Sequence, residues 1–152
     1  MRKTSAYARK QARYQADPSA IYRVMSKIQM FTDDEQIKLK LPVREAFERI
    51  KNGSGVENDF HTLAAAVNVT MVRAEKIDPL AEETAIHAKA ALMRTLHRHQ
   101  ATGRWGFDGP ALSEIADCID LHEQLIELQT PLQMQEAMQT VIARMDAGEV
   151  EV

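Results

Sequence analysis

Apolar side chains recur at three-and-four spacing along most of this chain, the period of helices that bury one face. Nothing reads as a strand of ordinary length. The clearest stripe is Phe60, Leu63, Ala64, Val67, Met71 and Ala74, on a helix that Asn58 or Asp59 is expected to cap. The longest helix is expected to start at Asp78-Pro79 and to end near Gln100, before Thr102-Gly103, with a small-residue stripe of Ala81, Ala85, Ala88, Leu92 and Leu96. Gly109-Pro110 introduces another, to about Leu128, presenting Leu112, Ile115, Ile119 and Ile126 with His122 set among them. Thr130-Pro131 opens the last, whose buried face reads as Met134, Met138, Val141, Ile142 and Met145 and whose end is Ala147-Gly148.

The first third is less regular. Thr32-Asp33-Asp34-Glu35 is a capping-box signature, with acids suited to the positive end of a helix dipole. The helix it opens should reach about Lys51, before Asn52-Gly53-Ser54-Gly55, but Pro42 removes the amide that would bond the Lys38 carbonyl and predicts a kink or break near Leu41. Ahead of it, Asp17-Pro18 suggests a short helix from Ser19 to about Met30, presenting Ile21, Met25 and Ile28. Residues 1–16 read as a flexible arm and residues 149–152 as a frayed acidic tail. The expected fold is all-α: one domain over residues 17–148, a bundle of five to six helices with short connections, carrying a basic N-terminal arm.

Composition agrees with this. The chain has 152 residues, 45% of them hydrophobic and only 5% aromatic, which suits one helical domain with a continuous core. No apolar run approaches the roughly 20 residues that span a bilayer, and no apolar stretch follows the basic N-terminus as a secretory signal requires. The single cysteine, Cys118, excludes an internal disulfide framework, so a cytoplasmic protein is expected.

Charge changes the picture more. The net charge is only −3, yet Met1 to Met30 hold seven bases against Asp17, and from Gly106 onward ten acids face one base, Arg144. The arm is either a solubilising tail, folded against the acidic helices or not, or a contact for nucleic acid or an acidic protein. The nucleic-acid reading rests on Arg2, Lys3, Arg9, Lys10, Arg13, Arg23 and Lys27, with Tyr7, Tyr14 and Tyr22 interleaved for stacking on bases. The same tyrosines could form one stripe of an amphipathic helix.

Catalytic and metal chemistry finds little support. Glu83 and His87, like Cys118 and His122, stand four apart, so a four-ligand site is conceivable if their helices face each other. Neither Glu-x-x-His nor His-Glu-x-x-His occurs, and Cys118 and His122 read more simply as core residues. His97, Arg98 and His99, with Arg94 and Arg104, either complement a helix C-terminus or form an anion patch. A mid-helix Cys-His pair lacks oxyanion donors, and neither glycine-rich stretch fits a phosphate loop. No enzyme, cofactor or metal is expected. The loop from Gly103 to Gly109 holds the only tryptophan: Trp105 and Phe107 either plug the end of the bundle or, with Arg104, anchor a partner. The protein-binding residues expected are Arg104, Trp105 and Phe107 with the acids Asp117, Asp120, Glu123 and Glu127 of the following helix.

Several stretches in order carry a resemblance: Lys38-Leu39-Lys40 to Gly53, Asp59-Phe60-His61-Thr62-Leu63-Ala64-Ala65-Ala66-Val67-Asn68-Val69, Ala101-Thr102-Gly103-Arg104, Gly109-Pro110-Ala111-Leu112 and Asp120-Leu121-His122-Glu123-Gln124-Leu125. Arranged so, the chain resembles a family of short, functionally uncharacterised proteins carried by bacterial prophages and plasmids. The resemblance implies a small cytoplasmic accessory product of a mobile element that binds a host or phage macromolecule. Two functions are expected from it and from the charge pattern. One is a protein-binding module that inhibits or modulates a host system. The other is a nucleic-acid-binding accessory or regulatory protein working through the arm. No membrane association is expected.

Overall fold

Each helix starts where its first residues can satisfy the amides that helical geometry leaves unpaired. In the computed structural model, which describes residues 29–149, these starts give α1 (Asp33–Lys51), α2 (Glu57–Ala74), α3 (Pro79–Thr102), α4 (Gly109–Leu128) and α5 (Pro131–Asp146). No strand occurs among the described residues, and the fold is an all-α bundle. Ahead of α1 the Thr32 hydroxyl accepts from the Glu35 amide at 3.3 Å, and the Glu35 carboxylate accepts from the Thr32 amide at 2.8 Å. Asp78 accepts from Leu80 N, Asp108 from Ala111 N, and Thr130 from Gln133 N, in each case with proline in the first turn of the helix that follows.

Four expectations about element boundaries are corrected. Pro42 does not break α1, which is one helix from Asp33 to Lys51. Lys38 and Pro42 are both exposed, a setting in which water can take the place of the missing amide. Neither Asn58 nor Asp59 is the cap of α2. That helix begins at Glu57 after Val56, and Asp59, one turn in, reaches back to accept the Val56 amide at 2.9 Å. The longest helix continues past Gln100 to Thr102 and stops at Gly103, whose φ of 72° is a left-handed cap. Gln29 and Met30 are not helical; the rest of the expected helix from Ser19, like the 1–16 arm, lies outside the described residues.

Packing is organised around α2, which touches α1, α3, α4 and α5. Eleven of its 18 residues are buried, more than one face can account for. Its sequence permits this, because Phe60 to Val72 includes no Asp, Glu, Lys or Arg. Ala85, Ala88 and Ala91 of α3 are fully buried and let α2 and α4 approach closely. The main core joins Phe47 and Ile50 of α1, Leu63 and Val67 of α2, Leu92 of α3, and Ile115 and Ile119 of α4. A second, smaller cluster ties α5 on: Met134, Ala137 and Val141 meet Val69 and Val72 of α2 and Ile126 of α4, with Phe31 against them. At the α1–α2 turn, Gly55 runs so close to Ile50 that an added Cβ would sit 2.9 Å from the Ile50 Cα.

The last helix differs from its expected face. Met134 and Val141 are buried, but Met138, Ile142 and Met145 are 51%, 56% and 53% exposed. Among the described helices, α5 packs mainly on α2 alone, and one neighbour covers only part of an apolar arc this wide.

Candidate functional site

The loop between α3 and α4 is an end plug. Trp105 is only 9% exposed. Its indole lies between the Phe60 ring, 4.9 Å away at 20°, and the His99 imidazole, 3.7 Å away at 4°. Phe107 is half-buried and stacks on Phe47 at 5.3 Å. Offset stacking adds to the burial of such rings. Of the two readings of this loop, the geometry is that of the plug: Trp105 is buried in the core and Phe107 packs half-buried against it. Arg104 is exposed, and its amide donates to the Thr102 hydroxyl at 3.2 Å.

The basic cluster at the end of α3 is dispersed. Arg94 turns across the loop to Asp108 at 3.2 Å and Glu114 at 2.8 Å, and His99 serves the tryptophan stack. The Asp108 carboxyl is held below its ordinary range first by the Ala111 amide, then by Arg94.

The acids of α4 are not a free anionic face. Glu123 accepts from Arg44 of α1 at 2.7 Å and 3.0 Å, Asp120 accepts from the same guanidinium, and Glu127 pairs with Lys40 at 2.6 Å. The Arg44 guanidinium is held further above its usual range, chiefly by Glu123. The sequence alone does not pair these bases with α4, because the spacing within α4 does not reveal which helix lies beside it. Asp117 is exposed and makes no ion pair among the described residues. It lies on an open groove of about 340 Å³ between the start of α3 and α4, lined by Asp78, Leu80, Thr84, Asp117, Asp120 and Leu121. Leu80 is 68% exposed at its mouth.

The conceivable four-ligand site is not assembled. Glu83 and His87 sit on the exposed side of α3, 3.8 Å apart, whereas Cys118 and His122 point into the core. Among the described residues no group of three or more His, Cys, Asp or Glu side chains could hold a metal ion. His122 Nδ1 lies 3.1 Å from the Thr70 hydroxyl, which donates to the Ala66 carbonyl at 2.7 Å. With its proton so committed, that hydroxyl can only accept from the imidazole, which assigns the neutral Nδ1–H tautomer. Burial lowers the His122 pKa to about 4 and raises the Cys118 thiol to about 12. Both are uncharged at neutral pH, and no thiolate is available for attack or ligation.

A second groove, missed from the sequence, lies between α2 and α5. It measures about 270 Å³ and is walled by Ala64, Ala65 and Val69 on one side and Met138, Ile142 and Met145 on the other. The surplus of apolar residues on α5 was its one signal.

The expected nucleic-acid contacts Arg2, Lys3, Arg9, Lys10, Arg13, Arg23 and Lys27 lie outside the described residues. Among the described residues, no helix is long and apolar enough to cross a membrane. Neither the models of protein families, nor curated proteins, nor solved structures give a match to this chain.

Proposed function

We propose that this is a non-enzymatic accessory protein that acts by binding a partner protein, with a lysine- or arginine-bearing surface of that partner seated in the α3–α4 groove. The observation that carries this reading is the exposed pairing of Asp117, which makes no ion pair among the described residues, with Leu80 in one open concavity. An apolar contact beside an unneutralised carboxylate suits a basic surface with an aliphatic stem, as lysine and arginine provide. The nucleophilic and titratable pair Cys118 and His122 is neutral and enclosed, which supports binding over catalysis. The partner we propose is a host or phage protein in the cytoplasm, with inhibition or modulation of a host system as the outcome; this part rests on the resemblance of the sequence to prophage and plasmid products.

The test is capture of partners from bacterial lysate on the full chain, followed by identification by mass. A specific partner should be retained at low salt, released as ionic strength rises, and lost with Asp117→Lys or Leu80→Asp. A partner retained equally by both variants would move binding to another surface, and retention of no protein would overturn the reading.

A second reading is favoured by the seven bases of Met1 to Met30: nucleic-acid binding through the arm. Its mark is affinity for DNA or RNA that falls steeply with salt and disappears when Arg9, Lys10 and Arg13 are neutralised. Absence of binding at low salt eliminates it.

A further inference from the structure

Three carboxylates line the α3–α4 groove, Asp78, Asp117 and Asp120, and no lysine or arginine is in its wall. Their situations differ. Asp78 is committed to its own helix, where it accepts the Leu80 amide at 3.0 Å. Asp117 makes no ion pair among the described residues. Asp120 belongs to two places at once, because it lines the groove and also accepts from the Arg44 guanidinium of α1.

Arg44 does not depend on Asp120. Glu123 holds the same guanidinium with both of its oxygens, 2.7 Å from Nε and 3.0 Å from one terminal nitrogen, a fork that fixes the plane of the group. The Glu123 side chain is 24% exposed and the Asp120 side chain 59%. Solvent screens the more exposed carboxylate, so its bond to Arg44 is the weaker of the two and the more easily given up. The Arg44 contact also shows what cation Asp120 accepts: a planar guanidinium.

Asp117 and Asp120 stand three apart on α4, a spacing that sets side chains about 5–6 Å apart on one helix face. Two bases one helical turn apart on a partner have the same separation. The exposed Leu80 gives their aliphatic stems an apolar contact in the same concavity.

We propose that the α3–α4 groove takes a segment bearing two arginines about one helical turn apart, one on Asp117 and one that displaces Arg44 from Asp120 while Arg44 stays on Glu123. This rests on the protein-binding reading above and names the chemistry of the partner. Arg44 then acts as an internal competitor. An isolated base is met by Asp117 alone, and only a segment with a second base in register also captures Asp120, so Arg44 selects against surfaces with scattered charge.

The test titrates the full chain at low salt with an alanine-based helical peptide that carries two arginines three residues apart beside a leucine. A peptide with one of these arginines replaced by alanine should bind about fivefold more weakly, and Asp117→Asn or Asp120→Asn should each weaken the two-arginine peptide by about the same factor. Arg44→Gln should tighten it about threefold. When the unsubstituted chain is saturated, the Arg44 Nε–H should keep its slow exchange with water in NMR spectra, because Glu123 retains it. Loss of that protection would show that Arg44 leaves both acids and would overturn the exchange, as would equal binding of the two peptides. Binding that is abolished by Asp117→Lys but unmoved by Asp120→Asn would keep the groove as the binding surface and overturn only the two-base assignment. Failure of both peptides to bind would overturn that assignment as well, while partner capture tests the reading beneath it. Circular dichroism of each variant checks that the helices are kept.

Discussion

The packing around Trp105 and the packing around α5 show what similar apolar chemistry does when it is enclosed and when it is not. Trp105 sits where α1, α2 and the end of α3 meet, and rings close on both of its faces. The apolar arc of α5 meets essentially one helix, so Met134 and Val141 are covered and Met138, Ile142 and Met145 are left at the rim. An aromatic residue in a loop became structural and a helical methionine stripe became surface. How many neighbours surround an element, rather than how hydrophobic it is, decides whether its apolar residues stabilise the fold or remain open for binding.

That contrast can be broken at several points. Trp105→Ala removes the centre of the ring stack and should cost about 4 kcal/mol in chemical denaturation, with the helical signal lost in a single transition. A loss under about 1 kcal/mol would mean that the indole is not part of the core.

His122 probes the same enclosed region through pH. In the unfolded chain it titrates near its ordinary 6.5, and in the fold near about 4. Between those values the unfolded chain binds the extra proton, so stability falls as pH falls, by about 3 kcal/mol across the window. Denaturation at pH 7 and pH 4.5 should show this slope, and His122→Gln should flatten it. Below that window the carboxylates held low by their partners, Asp59 and Glu75 among them, lose their contribution in turn.

For the α5 region, Met134→Ala should cost about 2 kcal/mol and should act locally. Hydrogen exchange is the sharper readout: amides of α5 should exchange faster in the variant while those of α2 and α4 keep their protection. Uniform acceleration through all five helices would show that the two clusters form one cooperative unit. The smallest effect is expected at the α1–α4 ion pairs. Arg44→Ala should cost about 1 kcal/mol or less, because its partners are partly solvated. It should also tighten binding of a basic partner by freeing Asp120 and Glu123.

Helix positions were largely legible because their signals are local. The Thr32 and Thr130 capping boxes, the Asp78-Pro79 start and the Gly103 stop depend on residues within one turn of each other. Pro42 does not break its helix because a missing amide is costly chiefly where water cannot replace it, and Lys38 and Pro42 are both exposed. The candidate site was much less legible. Asp117 and Asp120 were found from charge alone, but that Arg44 neutralises Asp120 while Asp117 stays open depends on a contact across 76 positions of sequence. Trp105 read as either plug or anchor because a loop residue's burial is set by the ends of other helices.

By itself, then, the amino-acid order determined which segments are helical, where most of them start, and which stripe of each is apolar. Those properties arise from hydrogen bonds and side-chain spacing inside a single segment. Only the tertiary arrangement decided that α2 is enclosed on several sides, that α5 is covered on one, and that the acids of α4 face the bases of α1. Neighbourhood in a bundle is a relation between helices, set by how their surfaces interlock, and no one segment contains it.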